Sequence, residues 1–201
     1  MSEEFNLNCP VCGARGLRVN SSMVSIPYFN QLAMFTIHCD SCGFNHNDVF
    51  STEEREPCRW TYRVTGAAML NTRVVRSGSG TIRIPDFGID VEPGPSAESF
   101  ISNVEGVLLR IRTVLEGIVV LVENETEKDR GRAVIEMLDQ AMAGSLPFTL
   151  VIEDPAGVSA ILPDDMTQVK YERLSKEEAA SLRGAPNWLQ EVREDLMDGR
   201  S

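Results

Sequence analysis

The chain has 201 residues, 42% of them hydrophobic, with 19 Lys and Arg against 30 Asp and Glu for a net charge of −11. That apolar content supports a core and excludes collagen-like, mucin-like and wholly disordered chains. A pI near 4.7 argues against a general polyanion binder, which needs a clustered basic face.

The acidic start Met1-Ser2-Glu3-Glu4 is followed by no apolar run of the secretory kind. The purest apolar run, Ile118 to Val122, is fenced by Glu116 and Glu123 and is far short of the ~18 residues a membrane span needs. A soluble, cytoplasmic protein without membrane contact is therefore expected. The acidity is uneven: residues 1–93 carry a net charge of −2 and residues 94–201 a net −9.

In chain order, two lobes are predicted, one over 1–56 and a β-rich one over 57–201. Within 5–50, alternating segments such as Leu32–Ile37 predict short strands around a turn at Ile26-Pro27-Tyr28-Phe29. Thr52–Pro57 reads as a short helix or linker. Trp60, Tyr62 and Val64 alternate with polar residues, as do Ile82, Ile84, Ile89 and Val91 after the Ser77–Gly80 turn.

Over 99–144 the period changes. Ile101, Val104, Leu108, Ile111, Leu115, Ile118 and Val122 recur at helical spacing, with Ser102-x-x-Glu105 as a capping box. A second helix after Asn124 carries Val134, Ile135, Leu138, Ala141 and Met142, and stops at Gly144. The short connection predicts an antiparallel hairpin, its first helix buried on more than one side. Strand character returns over 147–174, with a turn at Asp154-Pro155-Ala156-Gly157. Ser175-x-x-Glu178 and Pro186 open C-terminal helices within about 175–198, the last with Leu189, Val192 and Leu196 on one face. The fold class is α+β, mainly β, with the helical hairpin inserted between strands.

The chemistry is concentrated in the cysteines. Cys9-Pro10-Val11-Cys12-Gly13 and Cys39-Asp40-Ser41-Cys42-Gly43 are matched knuckles, C-x2-C-x26-C-x2-C. Two residues between thiols let one tight turn aim both sulfurs at one ion, and two such turns make a tetrahedron of soft ligands. Cys9, Cys12, Cys39 and Cys42 thus predict one structural zinc. Rubredoxin-type iron is the competing metal, and a redox dithiol the competing use of one pair. A closed four-thiolate site folds a segment instead of catalysing. Its binding energy of roughly 10–16 kcal/mol matches or exceeds the total stability of an ordinary domain, roughly 5–15 kcal/mol. His38 and His46 read as neighbours of the second knuckle, and Cys58 as a buried small residue.

No phosphate loop, nucleophile elbow or other catalytic constellation occurs, so no enzyme and no small-molecule substrate are expected. Arg15 and Arg18 are the only basic residues before Thr52, which disfavours nucleic acid. Arg73, Arg76 and Arg83 are the one candidate basic patch, so a nucleic-acid- or transcription-associated zinc ribbon is the alternative reading.

The knuckles, the Ile26–Phe29 turn and Gly43-Phe44, ending in Asn47-Asp48-Val49, resemble the ZPR-type zinc-finger family. The likeness continues through Leu70-x-x-Arg73-Val74-Val75-Arg76-Ser77, Ile82-x-Ile84-Pro85, Val91-Glu92-Pro93-Gly94, Asn103-Val104-Glu105-Gly106 and Phe148-x-Leu150-x-Ile152-x-Asp154-Pro155-x-Gly157-x-Ser159. Eukaryotic members carry the module twice; the single copy here is similar to the archaeal form. The resemblance implies a four-cysteine zinc ribbon followed by a β-helix-like or jelly-roll-like domain holding the hairpin. It also implies a protein partner, the translational GTPase that delivers aminoacyl-tRNA, served as a folding or assembly chaperone. Tyr28 and Phe29 at the ribbon turn and Asp154 and Gly157 in the later turn are the candidate partner contacts.

Overall fold

The computed structural model describes residues 2–25, 31–51, 55–94 and 97–184. The first lobe is a four-stranded antiparallel meander in chain order: β1 (Ser2–Asn8), β2 (Arg15–Val24), β3 (Leu32–His38) and β4 (Asn45–Ser51). Both Cys pairs lie in the turns at one end, between β1 and β2 and between β3 and β4. The predicted turn at Ile26–Phe29, with Tyr28 and Phe29, lies outside the described residues. Along β2 only Leu17 is buried.

The second lobe contains β5 (Cys58–Val64), β6 (Arg73–Arg76), β7 (Thr81–Ile84), β8 (Ile89–Val91), β9 (Phe100–Asn103), β10 (Phe148–Asp154), β11 (Ala160–Leu162) and β12 (Val169–Arg173). They form a five-stranded sheet ordered β12-β5-β10-β7-β8 and a three-stranded sheet ordered β11-β6-β9. Every pairing among them is antiparallel. β5 and β10 pair from Phe148 opposite Val64 to Asp154 opposite Cys58. The period-two reading holds here: Trp60, Tyr62 and Val64 point inward with Phe148, Leu150 and Ile152. On the other face Arg59 and Arg83 grip Glu153 at 2.7 and 2.8 Å.

The helical hairpin, α1 (Val104–Leu121) and α2 (Glu125–Met142), is inserted between β9 and β10. Val104, Val107, Leu108 and Ile111 of α1 and Leu138 and Ala141 of α2 enter the core. Two expectations need correction. The cap of α1 is Asn103, whose side chain accepts from the Gly106 N–H; Ser102 still belongs to β9. Nor is α1 buried on several sides, because Leu109, Val114, Ile118, Val120 and Leu121 are exposed. Asn124 caps α2 by accepting from the Thr126 and Glu127 N–H groups. A short α3 (Lys176–Ser181) begins with the predicted Ser175/Glu178 capping box. The predicted helix after Pro186 lies outside the described residues. No described helix is long and apolar enough to cross a membrane.

The lobes share packing. Leu32 and Val49, at the meander end away from the knuckles, belong to the same buried cluster as Trp60 and Leu108. Ser99 stitches the seam, its N–H donating to the Asn47 carbonyl at 3.1 Å and its hydroxyl to Asp48 at 2.6 Å.

Candidate metal centre

Each knuckle is a tight backbone loop. The Cys9 N–H donates to Ala14 O and the Gly13 N–H to Cys9 O; Cys39, Phe44 and Gly43 repeat the pattern at the same distances, 2.8 and 2.9 Å. Gly13 and Gly43 have φ of 71° and 74°, the left-handed region that side chains disfavour. The glycine after each pair is thus required by the turn itself.

The loops bring Cys9, Cys12, Cys39 and Cys42 together, with all four sulfurs within 4.8 Å of one another. Cys9 and Cys42 are 3.7 Å apart, as are Cys12 and Cys39. An ion held about 2.3 Å from four tetrahedral sulfurs needs S–S separations of about 3.8 Å, so the donor set fits zinc. Their protonation agrees. Burial works against ionising Cys9, but the backbone N–H groups of Cys12 and Val11 outweigh it and hold the thiol near 7. At Cys42 the Phe44 N–H favours the thiolate, yet burial and the three neighbouring sulfurs push it up to about 12. Without a cation the four thiols cannot all ionise; a divalent ion removes that conflict.

The neighbours do not join the cluster. His38 lies 3.3 Å from Asp40, which also pairs with Arg18. His46 stacks on Phe44. Cys58 is buried beside the Ser159 carbonyl, and burial, then the Asp154 charge, push its thiol up to about 12. Among the described residues around the centre, Leu17 and the two inner cysteines are buried, with Ala14, Ile37 and Phe44 partly covering them.

Asp154 and Gly157, read from the sequence as a turn and as candidate partner contacts, are enclosed. Asp154 has no exposed surface and accepts from Ser77, Ser79 and Ser159 hydroxyls at 2.7, 2.7 and 2.6 Å. The Ala156, Val158 and Ser159 N–H groups add three more bonds at 2.8, 3.0 and 2.7 Å. Gly157 has φ +69°, and a Cβ there would lie 2.3 Å from the Glu56 carbonyl oxygen. This turn therefore clamps the segment leading from the ribbon into β5. The local Asp-Pro-x-Gly turn encodes the N–H bonds to the carboxylate, a habit of Asp in turns, and carries no signal for its distant partners Ser77 and Ser79.

The candidate basic patch is not assembled either. Arg83 is bound to Glu153 and Asp90, and Arg76 is buried, its guanidinium donating to the Gly80 and Glu98 carbonyls at 3.0 Å.

A four-cysteine ribbon with a donor set that fits zinc, packed on a two-sheet β domain with an inserted hairpin, defines a protein of the zinc-finger class. Comparison with known proteins gives the family. The ZPR1 zinc-finger domain is matched over residues 3–57 and the ZPR1 jelly-roll domain over residues 68–183. The chain is 40% identical to a ZPR1-like protein of Methanocaldococcus jannaschii, covering 91% of both chains. It is 39% identical to a ZPR1-like protein of Pyrococcus horikoshii, covering 89% of this chain and 81% of that one. A Schizosaccharomyces pombe protein, zinc finger chaperone zpr1, is 28% identical over 85% of this chain and 39% of its own length. The chain belongs to the ZPR1 family.

Proposed function

We propose that the chain is a zinc-dependent, non-enzymatic protein-interaction factor of the cytoplasm, acting as a chaperone or assembly factor for the elongation-factor GTPase that delivers aminoacyl-tRNA. The observation that carries this reading is family membership across both modules, together with the chaperone name borne by the fission-yeast relative. In this reading residues 1–56 are the ribbon, folded by one zinc on Cys9, Cys12, Cys39 and Cys42, and residues 57–201 the β-rich lobe. A closed tetrahedral site has no open position for a substrate, which suits a structural ion. Tyr28 and Phe29 are the proposed anchors, aromatic side chains of the kind that dominate interface energetics. Asp154 and Gly157 contribute from beneath, by holding the segments that surround the seam.

The factor captures an incompletely closed conformer of the GTPase and releases the closed, nucleotide-bound one; such a preference is a difference in affinity between states. Binding measured by calorimetry to nucleotide-free, GDP and GTP forms should be tightest for the nucleotide-free form. Equal affinity for all three would overturn the chaperone mechanism.

A further inference from the structure

The hairpin leaves an apolar groove open between α1 and the sheets. Its walls include Ile89, Phe100, Val107, Arg110, Val114 and Ile118, and it holds about 470 Å³. Val114 and Ile118 are 62% and 47% exposed, an apolar surface of the kind that marks a binding site. Two observations say what covers it. Arg183, next to the end of the described chain, pairs at 3.3 Å with Glu92, which lines the same groove. Gly184 packs against Ser79 and Pro93 so closely that a Cβ would clash. The described chain therefore ends at the groove's rim, with residues 185–201 still to follow.

Their sequence suits it. At 100° per residue, Trp188, Leu189, Val192 and Leu196 fall on one helical face, while Glu191, Glu194 and Asp198 fall opposite. Pro186 stands where a helix opens. Arg110, its guanidinium 4.7 Å above the Phe100 ring, offers the groove a cation, and on the same 100° wheel Asp195 flanks the apolar face of the segment.

We propose that residues 186–198 dock in cis as an amphipathic helix in this groove, with Trp188, Leu189, Val192 and Leu196 against Val114, Ile118 and Phe100. The docked segment covers the apolar surface that the hairpin otherwise presents to water.

Trp188 reports the docking, since the chain's other tryptophan, Trp60, is 1% exposed. Acrylamide quenching of the full zinc-loaded chain, with Trp188→Phe isolating the Trp188 signal, should find Trp188 protected. Ile118→Asp in the groove and Val192→Asp in the segment should each raise its quenching several-fold. Leu121→Asp, on exposed α1 surface that does not line the groove, should leave it unchanged. A Trp188 fully accessible in the unsubstituted chain, or unmoved by both substitutions, would overturn the proposal. Protection lost on dilution would also overturn it, in favour of a second copy as the occupant.

Discussion

At Asp154, a carboxylate that local sequence places in a turn is surrounded by six donors, two of them from serines 75 and 77 residues away. Removing the charge while keeping the shape should be costly. Asp154→Asn turns an amide NH2 toward groups that are themselves donors, leaving buried bonds unmade. A loss of roughly 3 kcal/mol is expected, visible as a lower urea midpoint with unchanged zinc content. An unaltered midpoint would mean that the turn holds without the carboxylate. The clustering of the four cysteines is legible because spacing alone places two sulfurs on one turn. The Asp154 cluster is not, because Asp-Pro-x-Gly states its local turn and says nothing of Ser77 or Ser79 arriving from another strand.

Among the elements, β7 is followed by a 3-10 turn, Pro85–Phe87, whose Asp86 ties it to its neighbours. Asp86 accepts from the Thr149 N–H at 2.7 Å and from Arg63 at 2.8 Å. Burial opposes its ionisation, but Arg63 and Thr149 outweigh it and hold the carboxyl below its usual 3.8. A lowered value means that the contribution to stability is fully present above pH ~4 and is lost as pH falls through the folded-state value. The stability difference between the native chain and Asp86→Asn should thus be constant near neutrality and shrink in acid, in denaturant titrations at several pH values. A difference that grows toward acid would contradict the assignment. β5 and the first half of β10 are readable because alternate residues face the core, whereas β6, β9 and β11 show no such alternation. The α1 reading failed in two ways with one origin. Neither the one-residue choice between Ser102 and Asn103 nor the exposure of Val120 and Leu121 is local: both depend on where β9 ends and what lies across from the helix.

For the whole molecule, the metal centre and the large core sit at opposite ends of the meander. Among the described residues the knuckle end buries only Cys9, Leu17 and Cys39, and an ion on four thiolates would add roughly 10–16 kcal/mol of binding energy there. Chelation should therefore raise hydrogen exchange over residues 9–14 and 39–44 and along β2, while β5 and β10 stay protected. Uniform loss across both lobes would show that the modules unfold together. Composition had suggested the contrast, with a nearly neutral N-terminal half and an acidic remainder, but not that Leu32 and Val49 reach into the other lobe's interior. Nothing in β3 or β4 taken alone distinguishes that contact from ordinary strand burial.

That shared interior has a consequence for how such a protein can be copied and rearranged. A gene segment ending after the ribbon would yield a sheet with Leu32 and Val49 bare, while the remainder would lose the partners of Ser99. Recombination that separates the two pieces is penalised at both cut faces. The smallest portable unit is therefore the ribbon and its jelly-roll neighbour together, transmitted as one inherited block.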